Sequence, residues 1–582
     1  MSLLNKASLI QIPSGYKDGT LYSAKPTNGD GDFTFSRGSN LAATRVNSDG
    51  LIEKGRENLL LQSNQFDTTW SAILGASVAS GETGYDGSSN AWTFTKASGQ
   101  SSRIYQNITL SPIVHTTSIY AKAGTLRYLA ILEFSGSFIY FDLQNGTQGT
   151  TSGSPIDVNI EAVGTTGWYR CSITEDSVIT QLRIYASDTD GSISGAGTIL
   201  IQSAQTENSL VATDYIETGA TTAQAGILED MPRLDYSGGA TCGHLILEPQ
   251  RSNLVTNSEY YSASSWQNVG ATITNNNTTS PEGKQNATLL VGTSGSASRV
   301  QDFFGALSGA HTYSLFIKST GVATRLNLQT NDVGGATFSV PASGTPTVYA
   351  EGTNIGDPFI EDYGSGWYRV GFSFTPTGGG VNNYFQIYPD SSGNISSIYV
   401  YGAQCEAGSY PTSYIPTYGS SVTRSKDSCT DAGNASTFND SEGVLYAEIS
   451  SLIDDNDGSK SISISSGAYS NNIILQYTTN TNQIVFKTSP SYTTPIFESF
   501  IVSDITQNSK IAFKYKLNDC SFWHNGVKLG SITSFTPFSS GTLTELNFNR
   551  GDGNEGFEGK VKMVATFTEA LTDDELAALT TI

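Results

Sequence analysis

Apolar and polar residues alternate in short runs along most of this chain, and turns rich in Gly, Ser and Asn separate the runs. Alternation with a period of two places the apolar side chains on one face of a β-strand. Residues 117–122, 168–173 and 181–185 are examples of such runs. Short strands at this spacing predict antiparallel β-sandwiches.

The middle of the chain carries this pattern twice, which predicts two copies of one domain, over residues 58–218 and 251–417. The offset between the copies drifts only from 196 to 199 residues, so we expect the same fold with a small insertion in the second copy. The matched features are Trp70 and Trp266, His115 and His311, Gly167-Trp168-Tyr169-Arg170 and Gly366-Trp367-Tyr368-Arg369, Gln205 and Gln404, and Tyr215-Ile216 and Tyr414-Ile415.

Three other regions flank the repeats. Residues 1–57 contain few apolar positions, so we expect a short irregular segment without a core of its own, and residues 219–250 are predicted to be a linker. Residues 418–582 are predicted to form a third sandwich. It has an Asn525-Gly526 hairpin turn and a final helix capped by Thr572 and Glu575.

Composition narrows the function classes. Charged residues make up 14% of the chain, and 31 basic against 53 acidic residues give a net charge of −22. Nucleic-acid affinity depends on Lys and Arg neutralising phosphates, so nucleic acid is not an expected partner.

The sequence also has no long apolar run and no secretory signal, so we expect synthesis in the cytoplasm without membrane insertion. The five cysteines form no CxxC pair, which favours reduced, mostly buried thiols over disulfides or zinc. These cysteines are Cys171, Cys242, Cys405, Cys429 and Cys520.

The C-terminal quarter resembles the concanavalin A-like or laminin-G-like family. The resemblance lies in the order of Lys510-Ile511-Ala512-Phe513-Lys514-Tyr515, Asn525-Gly526, Leu546-Asn547-Phe548, Gly559-Lys560-Val561 and Ala570-Leu571-Thr572-Asp573-Asp574-Glu575-Leu576. It implies a carbohydrate-binding or protein-binding sandwich. Some members are glycosidases, but no paired catalytic carboxylate motif is present here.

Two stretches are similar to segments of tailed-bacteriophage virion proteins, in particular tail or head fibres. They are residues 33–53, which begin Phe33-Thr34-Phe35-Ser36-Arg37-Gly38-Ser39, and residues 232–254. We expect residues 1–57 to attach the protein to the virion, because this segment has too few apolar residues for a core of its own. The expected anchors are Phe33, Phe35, Arg37 and Arg45. In outline the repeats resemble jelly-roll carbohydrate-binding modules.

Candidate chemistry is sparse. The GWYR tetrads could provide aromatic platforms for sugars, or Trp168 and Trp367 could be core residues, which we favour. His115 and His311 occupy equivalent positions and suit a scaffold role.

Residues 454–458, Asp-Asp-Asn-Asp-Gly, offer oxygen ligands for Ca²⁺, with a solvated turn as the favoured alternative. Arg550-Gly551-Asp552 is expected to be only a turn.

The sequence therefore predicts a noncatalytic phage fibre protein, located in the virion, that displays β-sandwiches towards a host surface glycan, through residues that the sequence does not identify. The alternatives are a purely structural capsid or head-decoration protein and a glycan depolymerase. We expect contacts with capsid, collar or tail proteins, a homotrimer or homodimer, and no catalytic residues, metal site or cofactor.

Overall fold

The computed structural model describes residues 3–293, 298–330, 334–376, 383–391, 395–454, 458–489 and 496–582. Strands make up 50% of it and helices 3%, so the predicted all-β, antiparallel fold is confirmed. The chain divides into two compact units. Unit 1 contains residues 1–53, 227–251 and 423–582, and unit 2 contains residues 54–226 and 252–422.

The first repeat, in unit 2, is a sandwich of two six-stranded sheets. The sheet that includes the GWYR tetrad is called the GWYR sheet, and its partner the opposite sheet. In spatial order, the GWYR sheet contains Asp157–Val163, Trp168–Glu175, His115–Ala123, Gly197–Glu207, Ala91–Lys96 and Ser77–Glu82. The opposite sheet contains Thr147–Ser152, Phe138–Asp142, Tyr128–Glu133, Ile179–Ser187, Arg103–Leu110 and Ser71–Ile73.

The second repeat has the same two sheets with the same strand order, so the duplication predicted from the sequence is present in the topology. Its GWYR sheet contains Phe359–Asp362, Trp367–Phe374, His311–Ser319, Ser397–Ala407, Ala287–Gly292 and Ala271–Thr278. Its opposite sheet contains Thr347–Glu351, Gly334–Val340, Thr324–Thr330, Asn383–Tyr388, Arg299–Gly305 and Gln267–Val269.

Each repeat has a core between its two sheets, built from alternate residues of the strands. In the first repeat, Ile119 and Cys171 of the GWYR sheet pack against Ile131 and Ile184 of the opposite sheet. Val114 and Leu210 of the first repeat belong to the apolar core of the second. This shared core fixes the two repeats against each other.

Unit 1 contains the remaining large sheets. An eight-stranded sheet is formed by Leu234–Asp235, His244–Leu247, Gly559–Phe567, Glu442–Ser451, Ser509–Lys516, Cys520–His524 and Val527–Ile532, with Ala7–Gln11 also paired to Gly559–Phe567. A five-stranded sheet is formed by Ile496–Ile501, Gln483–Thr488, Asn472–Tyr477, Lys460–Ser465 and Glu545–Asn547.

Shorter elements complete the two units. The short strands are Tyr16–Lys17, Thr20–Leu21, Phe33–Ser36, Thr44–Val46, Ile52–Lys54, Arg56–Asn58, Ala223–Ala225, Arg251–Asn253, Val422–Arg424 and Ser428–Thr430. The helical elements are 3₁₀ turns at Leu3–Lys6 and Ser237–Gly239 and an α-helix at Asp573–Thr580. In the described residues, no helix has the length and apolar character needed to span a membrane.

Two boundaries predicted from the sequence are corrected. Residues 1–57 are not a separate segment ordered only by a partner, because Ala7–Gln11 pairs with Gly559–Phe567 and Phe33 lies in the core of unit 1. The predicted linker, 219–250, is not entirely a linker either. Its strand His244–Leu247 also pairs with Gly559–Phe567. Both segments fold with the C-terminal region because their few apolar residues complete its core.

Two local predictions in unit 1 are confirmed. Asn525 and Gly526, with φ of 47° and 81°, link the strands Cys520–His524 and Val527–Ile532. Both residues of such a hairpin turn need positive φ, which Asn and Gly tolerate best. Thr572 and Glu575 form the predicted capping box of the final helix.

Candidate functional site

The opposite sheet of the second repeat presents polar and aromatic side chains outwards. Inward residues such as Leu326, Phe338 and Phe385 fill the core, so the alternate positions face away from it. We call these outward residues the platform. They are Gln267, Arg299, Gln301, Phe303, Tyr384, Gln386, Tyr388, Arg325, Asn327, Gln329, Thr337 and Ser339, together with Tyr349 of the adjoining edge strand.

A row of amides crosses the platform from strand to strand. Gln301 Nε2 donates to Gln267 Oε1 (2.5 Å), and Gln386 Nε2 donates to Gln301 Oε1 (2.9 Å). Arg299 Nε donates to Gln301 Oε1 (2.8 Å), and Asn327 Nδ2 donates to Thr337 Oγ1 (2.8 Å). Gln301 and Asn327 are only 6% and 7% exposed, and Gln301 holds the more exposed Gln267 and Gln386 in place for a ligand.

Aromatic rings flank this amide row. The Arg325 guanidinium lies 4.0 Å from the centroid of Tyr349, whose side chain is 55% exposed. Arg299 lies 5.6 Å from the Tyr388 ring. At the other end of the platform, Phe303, which is 50% exposed, packs at 5.2 Å from Tyr384. An exposed ring therefore lies at each end of the platform.

The platform has the chemistry of a saccharide-binding face. Aromatic rings can pack against the C–H face of a sugar, while amides both donate to and accept from hydroxyls. Two guanidiniums can bind carboxylate or phosphate groups bidentately. The outward positions of strands Gln267–Val269, Arg299–Gly305, Thr324–Thr330 and Asn383–Tyr388 contain no acid. The platform thus combines rings, amides and cations, and these outward positions add no opposing negative charge.

Part of the same face of the first repeat is covered, although Phe134 beside Arg183 stays 43% exposed. Four of its side chains form a small apolar cluster in which no member is more than 9% exposed: Tyr128, Ala130, Tyr140 and Tyr185. Ile193, from the loop of residues 188–196, packs against this cluster. The Asp190 carboxylate accepts bonds from the Thr150 amide (2.8 Å) and hydroxyl (3.0 Å). These bonds hold the loop over the face.

The tryptophans of the GWYR tetrads are not open platforms. Trp168 is 2% exposed and Trp367 1% exposed, as expected of core residues. Tyr85 stacks on Tyr120 at 3.7 Å and meets Trp168 edge-on. The tetrad glycine Gly167 has φ of 78°, which explains its presence at the turn before the strand.

Other repeated residues serve the scaffold. Gln205 Nε2 donates to Glu207 (2.6 Å), and its Oε1 accepts from the Ile216 amide (2.7 Å). Gln404 makes the same bonds, to Glu406 (2.6 Å) and from Ile415 (2.8 Å). These bonds tie the long central strand to the exit segment of each repeat, which explains why the two copies share these residues.

The repeated histidines are also internal. His115 is fully buried, its Nε2 lies 3.2 Å from Glu133, and its pKa is raised because interactions with Glu133 outweigh burial. His311 instead packs against the Phe374 ring, and burial lowers its pKa. A scaffold role fits both positions.

The four residues expected to anchor the N-terminal segment are engaged inside unit 1. Phe33 and Phe35 are 1% exposed, and Arg37 is fully buried. Burial lowers the pKa of Arg37 to about 10, although the guanidinium bonds Asp427 (3.2 Å). Arg45 donates to Glu53 (2.8 Å) and Tyr16 (2.9 Å). Since three of the four are inaccessible in this fold, virion attachment through these residues stays a prediction.

The remaining candidates are the calcium segment, the Arg550-Gly551-Asp552 tripeptide and the cysteines. Residues 455–457 of the calcium candidate lie outside the described residues, and the described parts contain no group of three or more His, Cys, Asp or Glu that could hold a metal. Arg550 pairs with Asp552 (2.7 Å) and Glu555 (2.8 Å), as expected of a turn. All five cysteines are free, and only Cys242 is exposed.

Sequence reasoning missed the platform. A signal was present, because Arg103, Arg127 and Tyr185 return as Arg299, Arg325 and Tyr388 at offsets close to those of the repeat. In both copies the first arginine of this set lies over the tyrosine, at 5.8 Å in the first repeat. The sequence alone does not show that these arginines and tyrosines point outwards, because that direction depends on the strand register.

No protein-family model matches the chain, and no curated protein matches it by sequence. Among solved structures, the chain is similar to the Ruminococcus gnavus IT-sialidase CBM40 bound to α2,3-sialyllactose (15% identity, 25% of this chain, 86% of that chain, TM-score 0.23). It is also similar to domains LG4-5 of the mouse laminin α1 chain (10% identity, 46% and 86% covered, TM-score 0.18). TM-scores this low do not establish a shared fold.

Proposed function

We propose that the protein is a noncatalytic component of a tailed-phage particle that binds acidic saccharides of the bacterial surface. The platform of the second repeat is the observation that carries this proposal. Its exposed rings, fixed amides and two arginines lie on one face, and their chemistry matches a ring with hydroxyls and an acid group.

The absence of catalysis is part of the proposal. Glycan hydrolysis usually needs two carboxylates on either side of the scissile bond. The described outward positions of the four strands that carry most of the platform contain no acid, and the buried Glu133 and Glu175 lie away from solvent. Binding without cleavage is therefore expected.

The virion assignment rests on the resemblance of residues 33–53 and 232–254 to phage fibre segments. Multiple copies would raise the effective concentration of weak saccharide sites, so we expect a homotrimer or homodimer. Mass spectrometry of purified particles would test the location, and the mass of the full-length protein in solution would test the copy number.

The binding test uses the full-length protein and three immobilised acidic polymers: lipopolysaccharide, wall teichoic acid and polygalacturonate. We expect binding to at least one polymer that weakens at high salt, with no new reducing ends from polygalacturonate. Failure to bind any of them, or sustained release of oligosaccharide, would contradict the proposal.

A further inference from the structure

The two repeats enclose a polar cleft, of about 840 Å³, that is separate from the platform. One wall is the edge strand Asp157–Val163 with Arg170, Ser172 and Thr174 beside it. The other wall is the second repeat around Asn276 and Lys284. The volume lies within the range of ligand-binding cavities.

Contacts between the repeats fix the width of this cleft. Asn276 Nδ2 donates to Asp157 Oδ2 (2.9 Å) and to the carbonyl of Leu210 (2.9 Å). Lys284 Nζ lies 3.0 Å from Asp214 Oδ1. Because both walls belong to unit 2 and share an apolar core, the cleft is a preformed feature of the fold.

The arginines of the two GWYR tetrads, Arg170 and Arg369, differ in their hydrogen bonds. In the second repeat Arg369 is 2% exposed and donates to Thr412 O (2.6 Å) and Ser314 Oγ (2.9 Å). Arg170 makes only the second of these bonds, to Ser118 Oγ (3.0 Å), within the described chain. Arg170 lines the cleft, while its Nε is buried.

The charges of the lining favour a ligand without net negative charge. Three carboxylates, on Asp157, Glu161 and Asp214, face two cations, Arg170 and Lys284. Lys284 and Asp214 offset each other, which leaves the exposed Glu161 as an acceptor at the mouth. Carboxylates that accept from hydroxyls, next to amides and guanidinium that donate to them, match vicinal hydroxyl groups.

We propose that this cleft is a second binding site, which takes a neutral oligosaccharide. The site does not rest on the platform, whose arginines favour acidic saccharides. The protein would thus bind two chemically different parts of a surface glycan, which raises avidity when both are present on one polymer.

Hydrogen exchange of the full-length protein tests this, with chitohexaose, cellohexaose, maltohexaose and hexagalacturonate as probes at millimolar concentration. We expect at least one neutral hexamer to slow exchange in Asp157–Val163. A double variant, Asn159→Ala with Glu161→Gln, should weaken this binding about tenfold. Both positions are exposed, so folding should be unaffected.

Glu82→Gln is the matched control, because Glu82 is exposed on the opposite edge strand of the same sheet. It should leave binding unchanged. No protection of Asp157–Val163 by any neutral hexamer, or equal protection by hexagalacturonate, would overturn the proposal. If a neutral hexamer protects this strand while no acidic polymer binds the protein, that result would support the proposed cleft site and contradict only the proposed function of the platform.

Discussion

The two repeats share one strand order but differ in what their opposite sheets present to solvent. In the first repeat, Tyr140 and Tyr185 are buried under a loop that carries Ile193. In the second, Phe303 and Tyr349 are exposed beside the amide row. Duplication has kept the scaffold residues, such as Gln205 and Gln404, and part of the outward set, such as Arg103 and Arg299, while other outward residues have diverged. The functional difference between the repeats should therefore follow the outward positions that differ.

The repeats also differ in a buried network. Lys54, from the strand Ile52–Lys54, reaches into the second repeat, where its Nζ lies 2.9 Å from Glu259 and 2.7 Å from Glu282 and donates to Tyr418 (2.8 Å). Burial raises the pKa of Glu259, whereas Lys54 outweighs burial at Glu282 and lowers its pKa. The equivalent positions of the first repeat hold Asn64 and Asp86.

The largest expected effect comes from Lys54→Met. Removing the ammonium leaves two buried carboxylates without their partner, so the free energy of unfolding of the second repeat should fall by about 3–5 kcal/mol. Urea denaturation measures this. Asp86→Asn, at the exposed equivalent of Glu282, should change stability by less than about 1 kcal/mol. Similar losses in both variants would show that the repeats do not differ in this way.

A second difference between the repeats predicts that the folding stability of the second repeat depends on pH. Gln106 accepts from the Leu61 amide (2.8 Å) and donates to the Leu61 carbonyl (2.8 Å). Asp302 stands at the equivalent position and needs a proton to donate. Burial raises its pKa to about 6. The folded state thus binds this proton more tightly than the unfolded state.

The resulting stabilisation is fully present below the unfolded pKa, near 4, and is lost as the pH rises through about 6. The loss should be about 3 kcal/mol for this buried group, because each pKa unit corresponds to about 1.4 kcal/mol. Asp302→Asn should remove it, as measured by urea denaturation at a series of pH values. If the free energy of unfolding of Asp302→Asn keeps the same pH profile, another group causes the pH dependence.

The smallest effect is expected at the covered face. Ile193→Ala should cost about 1 kcal/mol, because Ile193 is only partly buried, and should speed hydrogen exchange in residues 188–196. Tyr140 and Tyr185 would then become more exposed. Unchanged exchange in this loop would mean that the Asp190 bonds alone hold it closed.

The sequence predicts the scaffold better than the site. Period-two alternation identifies strands such as Trp168–Glu175, and the repeat offset identifies the duplication. Which face of each strand points outwards depends on the register between distant strands, for example Gln301 opposite Gln386. No local pattern encodes that pairing. The burial of Phe33 and Arg37 depends likewise on residues hundreds of positions away, so the N-terminal segment was misjudged.

Two matched arginine–aromatic pairs test the central claim. Arg325 lies 4.0 Å from the ring of Tyr349 in the second repeat, and Arg183 lies 4.0 Å from the ring of Phe134 in the first. Each pair is replaced by alanines in the full-length protein, and the affinity for the acidic polymer that binds best is measured at moderate salt. The account predicts a loss of at least about tenfold for Arg325→Ala with Tyr349→Ala. Arg183→Ala with Phe134→Ala should lose less than about twofold. Equal losses, or a larger loss from the first repeat, would contradict it.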